Sequence, residues 1–326
     1  MRIVTLEEHV FRPDLLPRAA LTPGEPAAGM FEIMGPTWPK CADVGDTRIA
    51  AMDEAGITMQ VLSVSGPGAQ FADPDEGIEL ARKYNDWVAD EVTARPDRYA
   101  AFAHLPTVTP DAAAEELDRC VSKLGFKGAL VNGTTNGLFL DHPSYEPLLA
   151  RAEQLDVPIY LHPSIPPEEV RRAYYDNLPG MTGYMLGCAG WGWHSEVAIH
   201  VLRLVLSGAL DRHPRLKLII GHMGEGLPAM LGRCEEMFTG MTASYLKRKP
   251  VDYLHEQLWI TTAGFFHLAP FMAAIMTFGA DRILFSVDYP IGSTVRGRAF
   301  LDQLPVSPAD KLKIAHRNAD ALLKLC

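Results

Sequence analysis

The chain is poor in cysteine, and nothing in the spacing of its cysteines suggests a task for them. Five occur in 326 residues, at Cys41, Cys120, Cys188, Cys234 and Cys326. The number is odd, no CxxC is present, and no Cys/His set has zinc-module spacing. A disulfide framework and a closed structural zinc site are excluded, and reduced thiols in a cytoplasmic protein are expected. No run of about 18 apolar residues occurs, so no transmembrane helix is expected. The first residues enter an apolar strand directly, without the three regions of a secretory signal. Positive charge is also scarce. Thirty Lys and Arg face forty Asp and Glu, a net charge of −10. Nucleic acid and membrane surfaces are therefore not expected partners. A glycine-rich phosphate turn after the first strand is missing as well, which argues against an open dinucleotide-binding sheet.

What is present is a 48% hydrophobic, 21% charged chain, enough for one large domain over 1–326. Short apolar runs at 3–9, 59–64, 99–105, 128–132, 157–162, 216–220, 258–262 and 282–286 read as strands. Helical patterns follow at 46–55, 75–94, from 110, at 145–155, 196–207, 227–246, 270–278 and 308–325. Strict alternation implies a parallel sheet, and a count of eight implies a (β/α)8 TIM-like barrel. Two irregular stretches rich in Pro and Gly, 10–42 and 163–193, follow strands one and five. They are expected to cover the barrel mouth as a lid or pocket wall.

In such a barrel the site lies at the carboxyl ends of the strands. Glu7 and His9 alternate on one face of the first strand. His162, His222 and Asp288 end strands five, six and eight. Each of these residues alone is an ordinary polar side chain. Together on one rim they form a mixed nitrogen and oxygen set suited to Zn²⁺, Mn²⁺ or a related divalent ion. Glu8 faces away from Glu7 and His9 and is expected to be structural, as is His104. His194 sits at the edge of the second irregular stretch, next to Trp193, and is expected within reach of the pocket.

At this level the chain resembles the amidohydrolase-superfamily decarboxylases of γ-resorcylate, 2,3-dihydroxybenzoate, 5-carboxyvanillate and aminocarboxymuconate semialdehyde. The resemblance is carried by Leu6-Glu7-Glu8-His9, Asp46-Thr47-Arg48, Met52-Asp53-Glu54-Ala55-Gly56 and Arg95-Pro96-Asp97-Arg98. It continues through Leu161-His162-Pro163, Gly221-His222-Met223-Gly224-Glu225 and Ser286-Val287-Asp288-Tyr289-Pro290. It implies Glu7, His9, His162 and Asp288 as ligands of one divalent metal, Zn²⁺ or Mn²⁺ with Mg²⁺ possible, and no organic cofactor. It implies His222 with Glu225 as an acid/base pair. Arg48 and Arg233 would hold the substrate carboxylate, Arg233 from across a subunit interface in a homodimer or homotetramer. Trp193 would pack on the substrate ring.

The implied reaction is loss of CO₂ from a hydroxylated aromatic carboxylate after protonation of the ring carbon by Asp288, with His222 assisting. It is reversible as phenol carboxylation. Two departures leave the ring pocket open: Ile291 stands where relatives carry an aromatic residue, and the helix run is Arg233-Cys234-Glu235-Glu236-Met237-Phe238. A lactone or amide hydrolase on the same scaffold is the alternative. A metal-bearing barrel that binds an aromatic acid without turnover is a second.

Overall fold

The computed structural model describes residues 1–23 and 25–325; the expectation for the Cys326 thiol lies outside them. Nine strand segments appear: β1 Val4–Val10, β2 Met59–Val64, β3 Tyr99–Ala101, β4 Ala103–His104, β5 Ala129–Asn132, β6 Pro158–His162, β7 Lys217–Ile220, β8 Leu258–Thr261 and β9 Ile283–Leu284. All named pairs are parallel, in the orders β1-β2-β3 and β4 to β9. β3 and β4 are the single strand expected at 99–105, interrupted at Phe102. There the backbone turns from one neighbour to the next: Phe102 N–H donates to Leu62 O, Ala103 N–H to Gly128 O. At the other seam Leu6 bridges Ser286, and His9 N–H donates to Tyr289 O at 2.7 Å. The eight parallel strands thus follow one another in the sequential order of a (β/α)8 barrel.

Burial on both faces explains why the strands read as near-continuous apolar runs. Inside, Val4, Leu6, Val61, Phe102, Tyr160 and Ile219 pack together, with Leu322 and Leu323 of the final helix Asn318–Leu323 packed against them. Each fully buried aliphatic side chain contributes about 1.5–3 kcal/mol. A larger cluster fills the space between strands and outer helices.

Helices not legible in the sequence include Glu168–Tyr174 and Thr182–Gly187, inside the stretch expected to be irregular, and Pro250–Gln257 and Thr294–Gln303. Thr294–Gln303 contains Gly297 in its interior, which weakens any helical pattern. Packing supplies the reason for that glycine: a Cβ there would fall 3.0 Å from the Phe266 ring. The helix expected at 196–207 begins earlier, as Gly192–Leu206, and the one expected at 227–246 ends at Thr242. The stretch after β1 is not irregular throughout. It holds the helices Pro26–Ile33 and Trp38–Ala42, with its own small core of Phe11, Trp38 and Cys41. Phe11 stacks on Trp38 at 4.1 Å.

Candidate metal centre and active-site cavity

β1 does not run straight into the site. Its register slips between Thr5 and Glu8, and Glu7 adopts left-handed backbone with φ 59°. The bulge re-aims one carboxylate at the rim. Glu7, His9 and His162 then meet, with one donor atom from each within 4.8 Å of the others. His162 Nε2 lies 3.2 Å from Glu7 Oε1, and His9 Nε2 lies 3.1 Å from Asp288 Oδ1. Asp288 therefore joins the group through His9. His222, Glu225 and Asp288 also take positive φ, at 48°, 55° and 65°. Such backbone costs about 1–3 kcal/mol per residue and persists where surrounding packing enforces it.

The surroundings fix each donor. Asn132 Oδ1 accepts from His162 Nδ1 at 2.8 Å, which leaves Nε2 with a free lone pair. Tyr160 OH donates to Glu7 Oε2 and shares a 2.9 Å bond with Thr261 Oγ1. Gly221 must lack a side chain, because a Cβ would sit 2.7 Å from Glu7 Oε2. Glu7 Oε1 is buried without a hydrogen-bond partner. A buried carboxylate oxygen unmatched by any hydrogen bond among imidazole nitrogens fits a cation-binding donor set. Burial alone would raise the Glu7 pKa, but His222, His162 and His9 outweigh it and hold it at about 2. Burial lowers the His162 pKa, keeping the imidazole neutral as a ligand requires.

Next to this corner, Glu225 is shared by two imidazoles. His222 Nδ1 lies 2.7 Å from Oε1 and His194 Nδ1 lies 2.5 Å from Oε2. These are hydrogen-bond separations, so one carboxylate shares protons with two imidazoles. Burial opposes protonation of His222, but Glu225 and Glu7 prevail and raise its pKa to about 10. His194, expected within reach of the pocket, does line it: it stands in the first turn of Gly192–Leu206 with its ring 4.9 Å from that of His222.

The donors open into a cavity of about 370 Å³, within the range of small-ligand sites. His9, His162, His222 and Asp288 line it, with Trp193 and Ile291 in its wall. The two excursions supply much of the rest: Met30, Ile33 and Met34 from the first, Tyr184, Met185 and Cys188 from the second. Phe265 and Phe266 complete an apolar wall.

The two arginines assigned to the substrate carboxylate are not in this cavity. Arg48 is fully buried behind β1. It donates to His9 O at 2.5 Å, Asp43 O at 2.9 Å and Gln60 Oε1 at 3.2 Å, and stacks on Tyr289. The expectation of a substrate contact is corrected: Arg48 fixes the backbone that carries His9. Arg48→Ala should lower unfolding stability by about 3 kcal/mol, because several buried acceptors lose their donor. Calorimetric unfolding checks this, and a stable variant with weakened substrate affinity would restore the original role. Arg233 is exposed and paired with Glu236 at 3.1 Å; it does not line its own chain's cavity. Glu8 is structural, as expected, accepting from Val287 N, Tyr289 N and Gln60 Nε2. His104 is too, its Nε2 accepting from Ala69 N at 2.9 Å.

A fold of this type with this rim belongs to the amidohydrolases: residues 36–325 match the amidohydrolase family model, and the chain is a member of that family. Within it, the chain is 41% identical to the γ-resorcylate decarboxylase of Rhizobium radiobacter, covering 99% of this chain and 98% of that one. It superposes with TM-score 0.87 on a 2,6-dihydroxybenzoate decarboxylase in complex with 2,6-dihydroxybenzoate, at 40% identity and 99% coverage of both chains. It gives the same TM-score with a dihydroxybenzoic acid decarboxylase from Polaromonas bearing manganese and 2-nitroresorcinol, at 37% identity, covering 99% of this chain and 97% of that one. No helix among the described residues is long and apolar enough to cross a membrane.

Proposed function

We propose that this protein is a metal-dependent, non-oxidative decarboxylase of a hydroxylated aromatic carboxylic acid. The observation that carries the reading is the corner of Glu7, His9, His162 and Asp288 opening into an apolar, aromatic-walled cavity beside a charged His222–Glu225 pair. Relatives of 37–41% identity named for dihydroxybenzoate decarboxylation support it. Glu7, His9, His162 and Asp288 would hold one divalent ion, Mn²⁺ by analogy with the Polaromonas structure or Zn²⁺ by donor chemistry, with Mg²⁺ also compatible. Such an ion supplies Lewis acidity toward the phenolate and carboxylate oxygens.

The chain's own residues do the rest. Trp193 and Phe265 clamp the ring and exclude water, which strengthens every charge interaction within. The Asp288 carboxyl delivers a proton to the ring carbon bearing the carboxylate. Aromaticity is lost, and the C–CO₂ bond then breaks with its electron pair returning to the ring. CO₂ departs and the phenol is left. His222, kept cationic by Glu225, stabilises negative charge beside the ring and returns a proton to Asp288. By microscopic reversibility, high bicarbonate drives carboxylation of the phenol.

The oligomer belongs to the same reading. Met230, Met237 and Met241 lie exposed along the helix Leu227–Thr242 beside Arg233. This exposed apolar stripe supports a homodimer or homotetramer in which a second copy covers it and Arg233 reaches the neighbouring cavity. Arg233→Ala should weaken carboxylate affinity roughly tenfold with unchanged metal content and sedimentation, and unaltered affinity counts against the contact.

The test of the function is metal analysis of the purified protein, followed by a panel of ortho-hydroxybenzoates watched for CO₂ and phenol. About one transition metal per chain with turnover is expected. Metal without CO₂ release from any acid would overturn the lyase reading in favour of lactone or amide hydrolysis.

A further inference from the structure

The substrate of the proposed reaction is an anion, yet neither Arg48 nor Arg233 lines the cavity of its own chain. Arg296 is the one Lys or Arg among the described lining residues, and it is exposed at the rim. Fixed positive charge deeper in the cavity must come from imidazoles. His194 lines that cavity with a side chain only 13% exposed. Its ring stands 4.9 Å from that of His222 and 5.0 Å from that of Phe265, centre to centre.

Both ring nitrogens of His194 face acceptors. Nδ1 lies 2.5 Å from Glu225 Oε2, and Nε2 lies 3.1 Å from Ala189 O. A neutral imidazole carries one N–H, so one of these contacts would set a bare lone pair against an oxygen. The imidazolium satisfies both. Glu225 accepts as a carboxylate: burial alone would raise its pKa, but the charge of His222 and the bonds from His194 and His222 lower it. The Ala189 carbonyl is held in place too. A Cβ on Gly190 would fall 2.6 Å from Met185 O, and one on Gly192 would fall 2.1 Å from Gly187 O, so the turn packs backbone on backbone. Trp193 N–H donates to Cys188 O at 3.2 Å and closes it. His194 is thus pinned at both nitrogens.

We propose that His194 is a fixed imidazolium that leaves this wall with one uncompensated positive charge, through which the site selects anionic ring ligands over neutral ones of the same shape. The inference rests on the decarboxylase reading. His222 and Glu225 cancel as an ion pair, and His194 supplies the surplus. Phe265, Trp193, Met30 and Met185 wall the same cavity, so a charge beside a bound ring is weakly screened. Both N–H groups are already engaged. His194 therefore makes no directional bond to the carboxylate that must leave, and its charge acts on the ligand as a whole. Loss of CO₂ removes the ligand's charge. The same wall then holds the neutral phenol less tightly than the acid it came from, which favours product release.

The experiment measures calorimetric Kd for salicylate and salicylamide at neutral pH on metal-loaded wild type, His194→Gln and His194→Phe. The two ligands share ring and hydroxyl and differ in charge. The wild type is expected to favour salicylate, and both variants should lose about tenfold of that preference with metal content unchanged. A preference equal in wild type and variants overturns the proposal. Long-range ¹⁵N–¹H spectra of the Zn²⁺-loaded wild type decide the matter even if the variants fold poorly. Hydrogen on both His194 nitrogens is expected, and one bare nitrogen overturns the proposal. If no hydroxybenzoate releases CO₂, the lyase reading fails, while the salicylate preference and its loss in His194→Gln still decide whether His194 selects for charge.

Discussion

His162→Ala is expected to cost the protein its metal and, with it, measurable turnover. His162 is 8% exposed, ends β6 and is oriented by Asn132, so its Nε2 is a committed donor. Loss of an outer partner of a metal ligand alone costs 10–100-fold in affinity, so loss of the ligand should exceed about 100-fold. The cavity left by the imidazole is lined by Glu7 and His9, and a water there cannot restore a neutral nitrogen donor. Metal content after gel filtration, measured beside a thermal scan, separates ligand loss from unfolding. A folded variant with full metal content would remove His162 from the ligand set. Asn132→Ala provides the graded case: the ring keeps its place on the strand but loses the acceptor that fixes its tautomer, so affinity should fall by 10–100-fold.

Much of this site was legible in the sequence because barrel topology converts strand ends into neighbours. Glu7, His9, His162, His222 and Asp288 are distant in sequence, yet each ends an apolar run, and the alternation of strand and helix places those ends on one rim. Glu225 was legible too, three residues after His222 in a short motif. What was not legible depends on side-chain direction. Arg48 sits in a helix two residues after Asp46, and nothing in that pattern says whether its guanidinium turns toward the cavity or behind β1. The structure turns it to His9 O and Gln60. His194 was legible as a pocket neighbour, but the start of its helix was not: glycines and tryptophans around it break the helical pattern, and the helix begins at Gly192. The bulge at Glu7 is a further case, since a strict two-residue alternation describes β1 only up to the register slip.

Asp288→Asn is expected to reduce kcat by about 10²–10⁴-fold, the usual contribution of a positioned general acid, while a folded, metal-retaining protein remains. Three carboxylates surround the centre, but only one is placed to reach a bound ring. Glu7 and Glu225 are sealed, with side-chain exposures of 0%, whereas Asp288 has 13% and lines the cavity. A proton bound for a ring carbon must come from a group that the ring touches. His9 and His162 are directed at the carboxylates, which leaves Asp288 and His222. Asparagine preserves the size of the side chain and an oxygen donor, but it has no proton to give at the required acidity. The decisive readout is the ring carbon itself. Incubation of the product phenol with enzyme in D₂O exchanges that hydrogen if protonation is reversible, independently of CO₂ release. Exchange should vanish in Asp288→Asn and survive, more slowly, in His222→Asn. The opposite order would make His222 the donor and reduce Asp288 to a ligand. In that case the left-handed backbone at Asp288 would serve only to close the metal corner.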